Sequence, residues 1–109
     1  LSFEEFLKVD IRAGTVLRAE LHRQTRGPAY RIWIDFGPEI GKRKTTAQIT
    51  AHYTPEELIG RQVAAVVNFP PKQIGNFMSE VLVLGFPDGE GEVILIAPEQ
   101  GVANGAKLY

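Results

Sequence analysis

Two histidines, two carboxylate pairs and two cation-bearing segments are the groupings through which this chain could do chemistry. His22 and His52 stand apart, and neither has a third ligand or a base partner at a workable spacing, so no metal site is expected. Glu4/Glu5 and Glu56/Glu57 each open a predicted helix, where carboxylates complement the macrodipole and need no catalytic role. No cysteine is present, which removes a thiol nucleophile, a cysteine-type zinc site and a disulfide framework. No phosphate-binding loop, dinucleotide fingerprint, nucleophile elbow or His-Glu-x-x-His pattern occurs either. The expectation is a protein that is not an enzyme, takes no cofactor and works by binding.

Two segments fit binding. Lys42-Arg43-Lys44 leads into Thr45, Thr46 and Gln48, placing flexible cations beside hydroxyl and amide donors, as phosphate contacts require. Asn68-Phe69-Pro70-Pro71-Lys72-Gln73-Ile74-Gly75, followed by Phe77-Met78-Ser79-Glu80, combines aromatics, a cation, amides and a hydroxyl with two fixed prolines. That second set equally suits an extended peptide, with aromatics for its side chains and amides for its backbone. The net charge of −1 is unevenly spread: residues 11–72 carry ten Lys/Arg against five Asp/Glu, and both ends are acidic. A basic middle is a footprint for a polyanion, or simply a set of solvated loop cations.

The elements that must hold these segments follow from periodicity. With 109 residues, 44% hydrophobic and 23% charged, the chain has the size and composition of one globular domain, residues 1–109. Ser2 with Glu5 forms a capping box for a short helix whose apolar face is Phe3, Phe6 and Leu7. A strand runs from Val9 to about Leu21, with Gly14 breaking its alternation as a bulge or bend would. Tyr30, Ile32, Ile34 and Phe36 share one face of a second strand, and Arg31, Trp33 and Asp35 the other. The segment 42–50 is a third strand, and Thr54-Pro55-Glu56-Glu57 begins a second helix. Strands then follow over 62–69, 80–86 and 93–97, with Pro70-Pro71 ending the first of them. One short helix between strands three and four of a five-stranded set is the order of an all-β OB-fold, a five-stranded Greek-key barrel, here with an N-terminal helix and a C-terminal extension. An SH3-like barrel or small sandwich is the alternative.

Val63 to Val67, Val81 to Leu84 and Val93 to Ile96 are apolar on both faces, whereas a small barrel needs only its inner face apolar. Leu82, Leu84, Ile94 and Ile96, or their alternates, would face water. Cover by the N-terminal helix and the tail 98–109 is one solution. A homodimer through the C-terminal strands and that helix is the one expected here. No run reaches the roughly 18 apolar residues of a membrane span, and the opening Leu-Ser-Phe-Glu-Glu lacks the regions of a signal peptide. A cytoplasmic protein without membrane insertion is expected.

Val9-Asp10-Ile11-Arg12, Leu58-Ile59-Gly60-Arg61, Asn68 with Pro71-Lys72, and Met78-Ser79-Glu80 occur in this order across most of the chain. In these pieces the chain resembles the tRNA-binding domain family of OB-folds, which occurs as free bacterial proteins and as domains appended to methionyl- and phenylalanyl-tRNA synthetases. Ala47-Gln48-Ile49-Thr50, the run from Val66 to Gly75 and Ser79 to Gly85 resemble that family's export-related chaperone branch. The synthetase-appended members usually carry Ser-Gly-Ile, Asn-Leu-Ala-Pro-Arg-Lys and Ser-Glu-Gly-Met at these places. The resemblance implies a homodimeric cytoplasmic OB-fold without cofactor. It would hold unfolded or precursor polypeptides and retain tRNA as a second partner, and with no nucleotide motif in the sequence that holding would be independent of ATP; the alternative is a structure-specific tRNA-binding protein.

Two sets of contacts follow as expectations. For RNA they are Arg12, Arg31, Lys42, Arg43, Lys44, Asn68, Lys72 and Ser79; for polypeptide they are Trp33, Phe69, Phe77 and Met78, with Trp33 exposed beside Arg31 and Asp35.

Overall fold

The computed structural model describes residues 1–109. Helix α1 (Phe3–Phe6) forms on the expected capping box: the Ser2 hydroxyl accepts from the Glu5 N–H at 3.1 Å, and the Glu5 carboxylate accepts from the Ser2 N–H at 3.0 Å. None of its residues is buried. Strands β1 (Ile11–His22), β2 (Ala29–Asp35), β3 (Lys42–Ala47), β4 (Gln62–Val66) and β7 (Leu82–Val83) make one antiparallel sheet in the order β3-β2-β1-β4-β7. Helix α3 (Pro55–Leu58) lies between β3 and β4 with Thr54 and Glu57 as its capping box, and it drives Leu58 into the core. This is the OB-fold that the element order predicts.

The core collects the inward faces of these elements: Val16, Ile32, Ile34, Phe36, Ile49, Leu58, Val63 and Val81, with Tyr30 and Tyr53 beside them. The alternation of β2 decides this, since Tyr30, Ile32, Ile34 and Phe36 are all buried and Arg31, Trp33 and Asp35 are not. The hydroxyls of the two core tyrosines are satisfied in place. The Tyr30 hydroxyl donates to the Tyr53 carbonyl at 2.6 Å, and the Tyr53 hydroxyl accepts from the Leu95 N–H at 2.9 Å.

Several elements depart from the sequence expectation. The irregularity in β1 is not at Gly14. The register slips between Val16 and Arg18, while Gly14 points inward and packs against Ile34 and Phe36. The loop after Pro71 is a hairpin, β5 (Lys72–Ile74) with β6 (Phe77–Ser79). The turn at 37–41 contains a helical turn, α2 (Gly37–Ile40). The predicted strand 80–86 splits into β7 and β8 (Gly85–Pro87), and β8 leaves the main sheet to pair with β9 (Val93–Leu95). The tail follows the first half of β1, through Gly105 N–H to Ala13, Ala13 N–H to Ala106 and Leu108 N–H to Ile11, at 2.8–2.9 Å.

The β8–β9 turn is held by one carboxylate. Asp88 Oδ1 accepts the N–H groups of Glu90 and Glu92 at 2.8 and 2.9 Å, and Oδ2 accepts from His52 Nε2 at 2.6 Å. The His52 hydrogen bond first, and then the two backbone donors, hold the Asp88 carboxyl below its ordinary range. A depressed carboxylate stabilises the fold fully above its ordinary pKa and ceases to as pH falls through the lowered value. The amide resonances of Glu90 and Glu92 should therefore shift together in that acid window, and Asp88→Asn should remove the transition. Transitions unchanged in Asp88→Asn would show that another group governs the turn.

Candidate functional site

The outer face of the sheet carries a row that crosses three strands. Trp33 on β2 is in register with Arg18 on β1 and with Lys44 on β3. The Arg18 guanidinium lies 4.4 Å from the centre of the Trp33 ring. The β5–β6 hairpin folds over this row and sets Phe77 edge-on to Trp33, with ring centres 5.6 Å apart. Phe77 also meets Lys44 Nζ at 4.9 Å and the Arg31 guanidinium at 5.1 Å. The result is a layer of two aromatic rings flanked by three cations, in which the cations suit phosphates and the half-buried Trp33 is the more exposed ring. Glu20 offsets part of this charge, since it binds Arg18 at 2.7 Å and lies 3.6 Å from Arg31.

His22 fixes the hairpin to the sheet. It is 1% exposed; its Nε2 donates to the Ile74 carbonyl and its Nδ1 accepts from Arg31 Nε, both at 3.0 Å. Arg31 also donates to Asn76 Oδ1 at 2.8 Å. Gly75 makes the hairpin turn at φ +61°, and a Cβ there would strike the Gln24 carbonyl of the β1–β2 loop. In an OB-fold the β1–β2 loop and the loop between strands four and five frame the ligand face. Here they enclose a cavity of about 590 Å³ whose lining includes Gln24, Arg26, Gln48, Lys72 and Gln73.

The two expected contact sets are only partly assembled. Arg31 and Lys44 join Trp33 as above, and Lys72 stands exposed at the start of the hairpin. The cluster Lys42-Arg43-Lys44 is divided by strand alternation: Arg43 is opposite Ile34 and donates to the Ile40 carbonyl at 3.3 Å, while Lys42 is opposite Asp35. Four residues of those sets have their polar groups or their surface taken up by contacts within the chain. Arg12 is 8% exposed and forks onto Asp10 and Glu39, at 2.6 and 3.1 Å, with a further bond to the Gly105 carbonyl. The Asn68 side-chain amide is used at both ends, accepting from Asp10 N–H and donating to the Lys8 carbonyl. The Ser79 hydroxyl bonds Thr45 and the Thr46 N–H. Phe77 is 7% exposed, so it supports the layer and offers little surface to a peptide.

Of the peptide set, Phe69 and Met78 are exposed and Trp33 is half-buried under Phe77 and Arg18. Phe69 and Leu82 line a pocket of about 320 Å³ with Pro70 and Lys72. Sequence reasoning missed Arg18 and His22. The strand period of β1 alone would have turned Arg18 inward with Arg12, Gly14 and Val16.

The model of the tRNA binding domain family matches residues 11–107, which span the sheet, the hairpin and the returning tail. The chain belongs to the tRNA-binding domain family. Among solved structures of similar shape is that of chaperone CsaA from Bacillus anthracis strain Ames, at 50% identity and a TM-score of 0.94, covering 100% of this chain and 98% of that one. The CsaA chaperone protein from Picrophilus torridus is similar at 45% identity and a TM-score of 0.93, with 100% and 99% covered. Among curated relatives, the methionine–tRNA ligase of Porphyromonas gingivalis ATCC 33277 is 39% identical over 108 residues. That match takes 99% of this chain and 15% of the ligase, so the chain spans about a seventh of the enzyme's length. This member of the tRNA-binding domain family thus matches the chaperones end to end, and the ligase over only about a seventh of that enzyme.

Proposed function

We propose that this chain is an ATP-independent, export-related molecular chaperone of the cytoplasm that holds unfolded or precursor polypeptides as a homodimer. The observation that carries this is the exposed apolar surface at the base of the hairpin, where Phe69 and Leu82 are 53% and 50% exposed around their shared pocket, with Met78 exposed on β6 of the same hairpin. Met adapts to varied side chains, and apolar pockets of this kind lower the free concentration of aggregation-prone segments. Holding needs no nucleotide, and the sequence carries no nucleotide-binding loop. A second apolar surface supports the dimer: Phe86 and Ile94 are paired across β8 and β9 and both are exposed, as is Phe3 on α1.

The cation–aromatic layer favours a second reading, tRNA binding through Arg18, Arg31, Trp33 and Lys44. The two readings separate by salt. Titrating labelled tRNA and an unfolded model polypeptide at two salt concentrations should show RNA affinity falling steeply and polypeptide affinity holding. Arg18→Ala/Lys44→Ala should lower the salt slope for tRNA by about 1–2. Phe69→Ser/Leu82→Ser should weaken the polypeptide alone. Tight tRNA binding with no polypeptide binding would refute the chaperone reading. Sedimentation showing only monomer at micromolar concentration would refute the dimer.

A further inference from the structure

A closed barrel would pair β3 with β7, and here no ladder joins them. The two edges touch at one end only. Glu80 N–H donates to the Lys44 carbonyl at 2.8 Å, Lys44 N–H to the Glu80 carboxylate at 3.0 Å, and the Thr45 hydroxyl to the Val81 carbonyl at 2.6 Å. Beyond Thr46 the edges part, leaving a groove of about 610 Å³ between residues 46–51 on one side and Leu82, Val83, Glu92 and Val93 on the other.

The groove presents unpaired main chain. Because Lys44 turns both its N–H and its carbonyl toward Glu80, continuing the strand period one residue past the end of β3 at Ala47 points the same groups of Gln48 into the groove, and Gln48 is not among the backbone hydrogen bonds made outside strands and helices. On the far wall, Leu84 N–H bonds the Ala64 carbonyl at 2.9 Å, which sets the ladder phase and turns the N–H and carbonyl of Val83 away from β4. The Thr46 hydroxyl, at the lip, is shielded and without a partner. Among all lining residues the one charged side chain is Glu92. A phosphodiester chain would meet a carboxylate and no cation there, whereas an uncharged amide backbone matches the donors and acceptors on both walls.

We infer that this seam takes an extended segment of polypeptide as an added strand, hydrogen-bonded to Gln48 on one edge and Val83 on the other. Following the antiparallel pairings around the sheet, β3 and β7 run in the same direction. One inserted strand is thus antiparallel to both, the more stable pairing. About three residues at about 3.3 Å each would lie along the edge from Thr46 to Gln48, short of the turn that begins at Thr50. Leu82 lines both the seam and the Phe69 pocket, so a segment leaving the seam reaches that pocket with its next side chains. This inference rests on the chaperone reading and gives it a mode: main chain read in the seam, apolar side chains at its mouth.

The test is amide hydrogen exchange on the full chain with and without an unfolded model polypeptide, with binding followed in parallel by fluorescence anisotropy. New protection at Gln48 and Val83 is expected. Binding without that protection would overturn the seam and leave the chaperone reading standing; no binding at all would overturn both. A seven-residue uncharged Val/Thr peptide and its N-methylated analogue supply the second arm, with at least tenfold weaker binding expected for the analogue. Equal affinities would overturn the inference. Gln48→Pro removes one edge donor and should weaken polypeptide binding at least tenfold; undiminished polypeptide binding by the folded variant would again count against the seam.

Discussion

Replacing Arg12 by alanine is expected to lower stability by about 3 kcal/mol while leaving the affinity of each folded molecule for tRNA unchanged. The guanidinium joins three parts of the chain that are far apart in sequence: Asp10 at the start of β1, Glu39 in α2 and the Gly105 carbonyl in the tail. Its bonds to Asp10 first, and to Glu39 second, push its pKa further up, so it stays a cation throughout. Removal leaves Asp10, itself mostly covered, beside an unpaired carbonyl. Arg12→Lys should restore only part of the loss, because an ammonium cannot fork onto two carboxylates. Urea unfolding reads the effect as a lower midpoint with an unchanged slope. Intact stability with lost tRNA binding would return Arg12 to the contact set.

Gly14→Ala should be nearly as costly, at about 2–3 kcal/mol, for a steric reason. A Cβ on Gly14 would sit 2.6 Å from Ile34 Cγ2 and 2.7 Å from the Phe36 ring, and both side chains are wholly buried. No flexible tip can move aside, so the sheet or the core must shift. Ile34→Ala removes the clashing Cγ2, so the double variant should cost less than the sum of the two single variants, as expected for residues in contact. Gly89→Ala is the control: nothing lies within 4 Å of its added Cβ, and about 0.5 kcal/mol or less is expected. Equal effects at the two positions would show that backbone entropy, and not crowding at Gly14, sets the cost.

Both variants mark where a correct local pattern was given the wrong tertiary meaning. Gly14 interrupts the apolar alternation of β1, which reads as a bulge in one dimension; in the fold it is the gap that admits Phe36. Arg12, in a run of strand residues, reads as a surface cation. It becomes an interior one because the tail returns along β1 and covers it. The hairpin was legible only as a composition of aromatics, amides and prolines. Its two strands are three residues each, too short for any period to show.

The sequence by itself determined the local and the repetitive. The two capping boxes, the inward face of β2, the helix between β3 and β4 and hence the OB-fold all follow from side-chain period and short-range hydrogen bonding, which depend on neighbours a few residues away. The lack of catalytic motifs and the resemblance to the tRNA-binding domain family were legible in the same way. Tertiary structure alone decided which cations remain free. Arg18 reaches Trp33 because the register slips after Val16 and turns it outward, and His22 and Arg31 together hold Phe77 above them. It also decided that β3 and β7 stay apart, because Glu80 and Thr45 hold only one end of their edges together. The slip in β1 and the pairing of the sheet edges depend on contacts between residues tens of positions apart, beyond the reach of side-chain period and short-range hydrogen bonding.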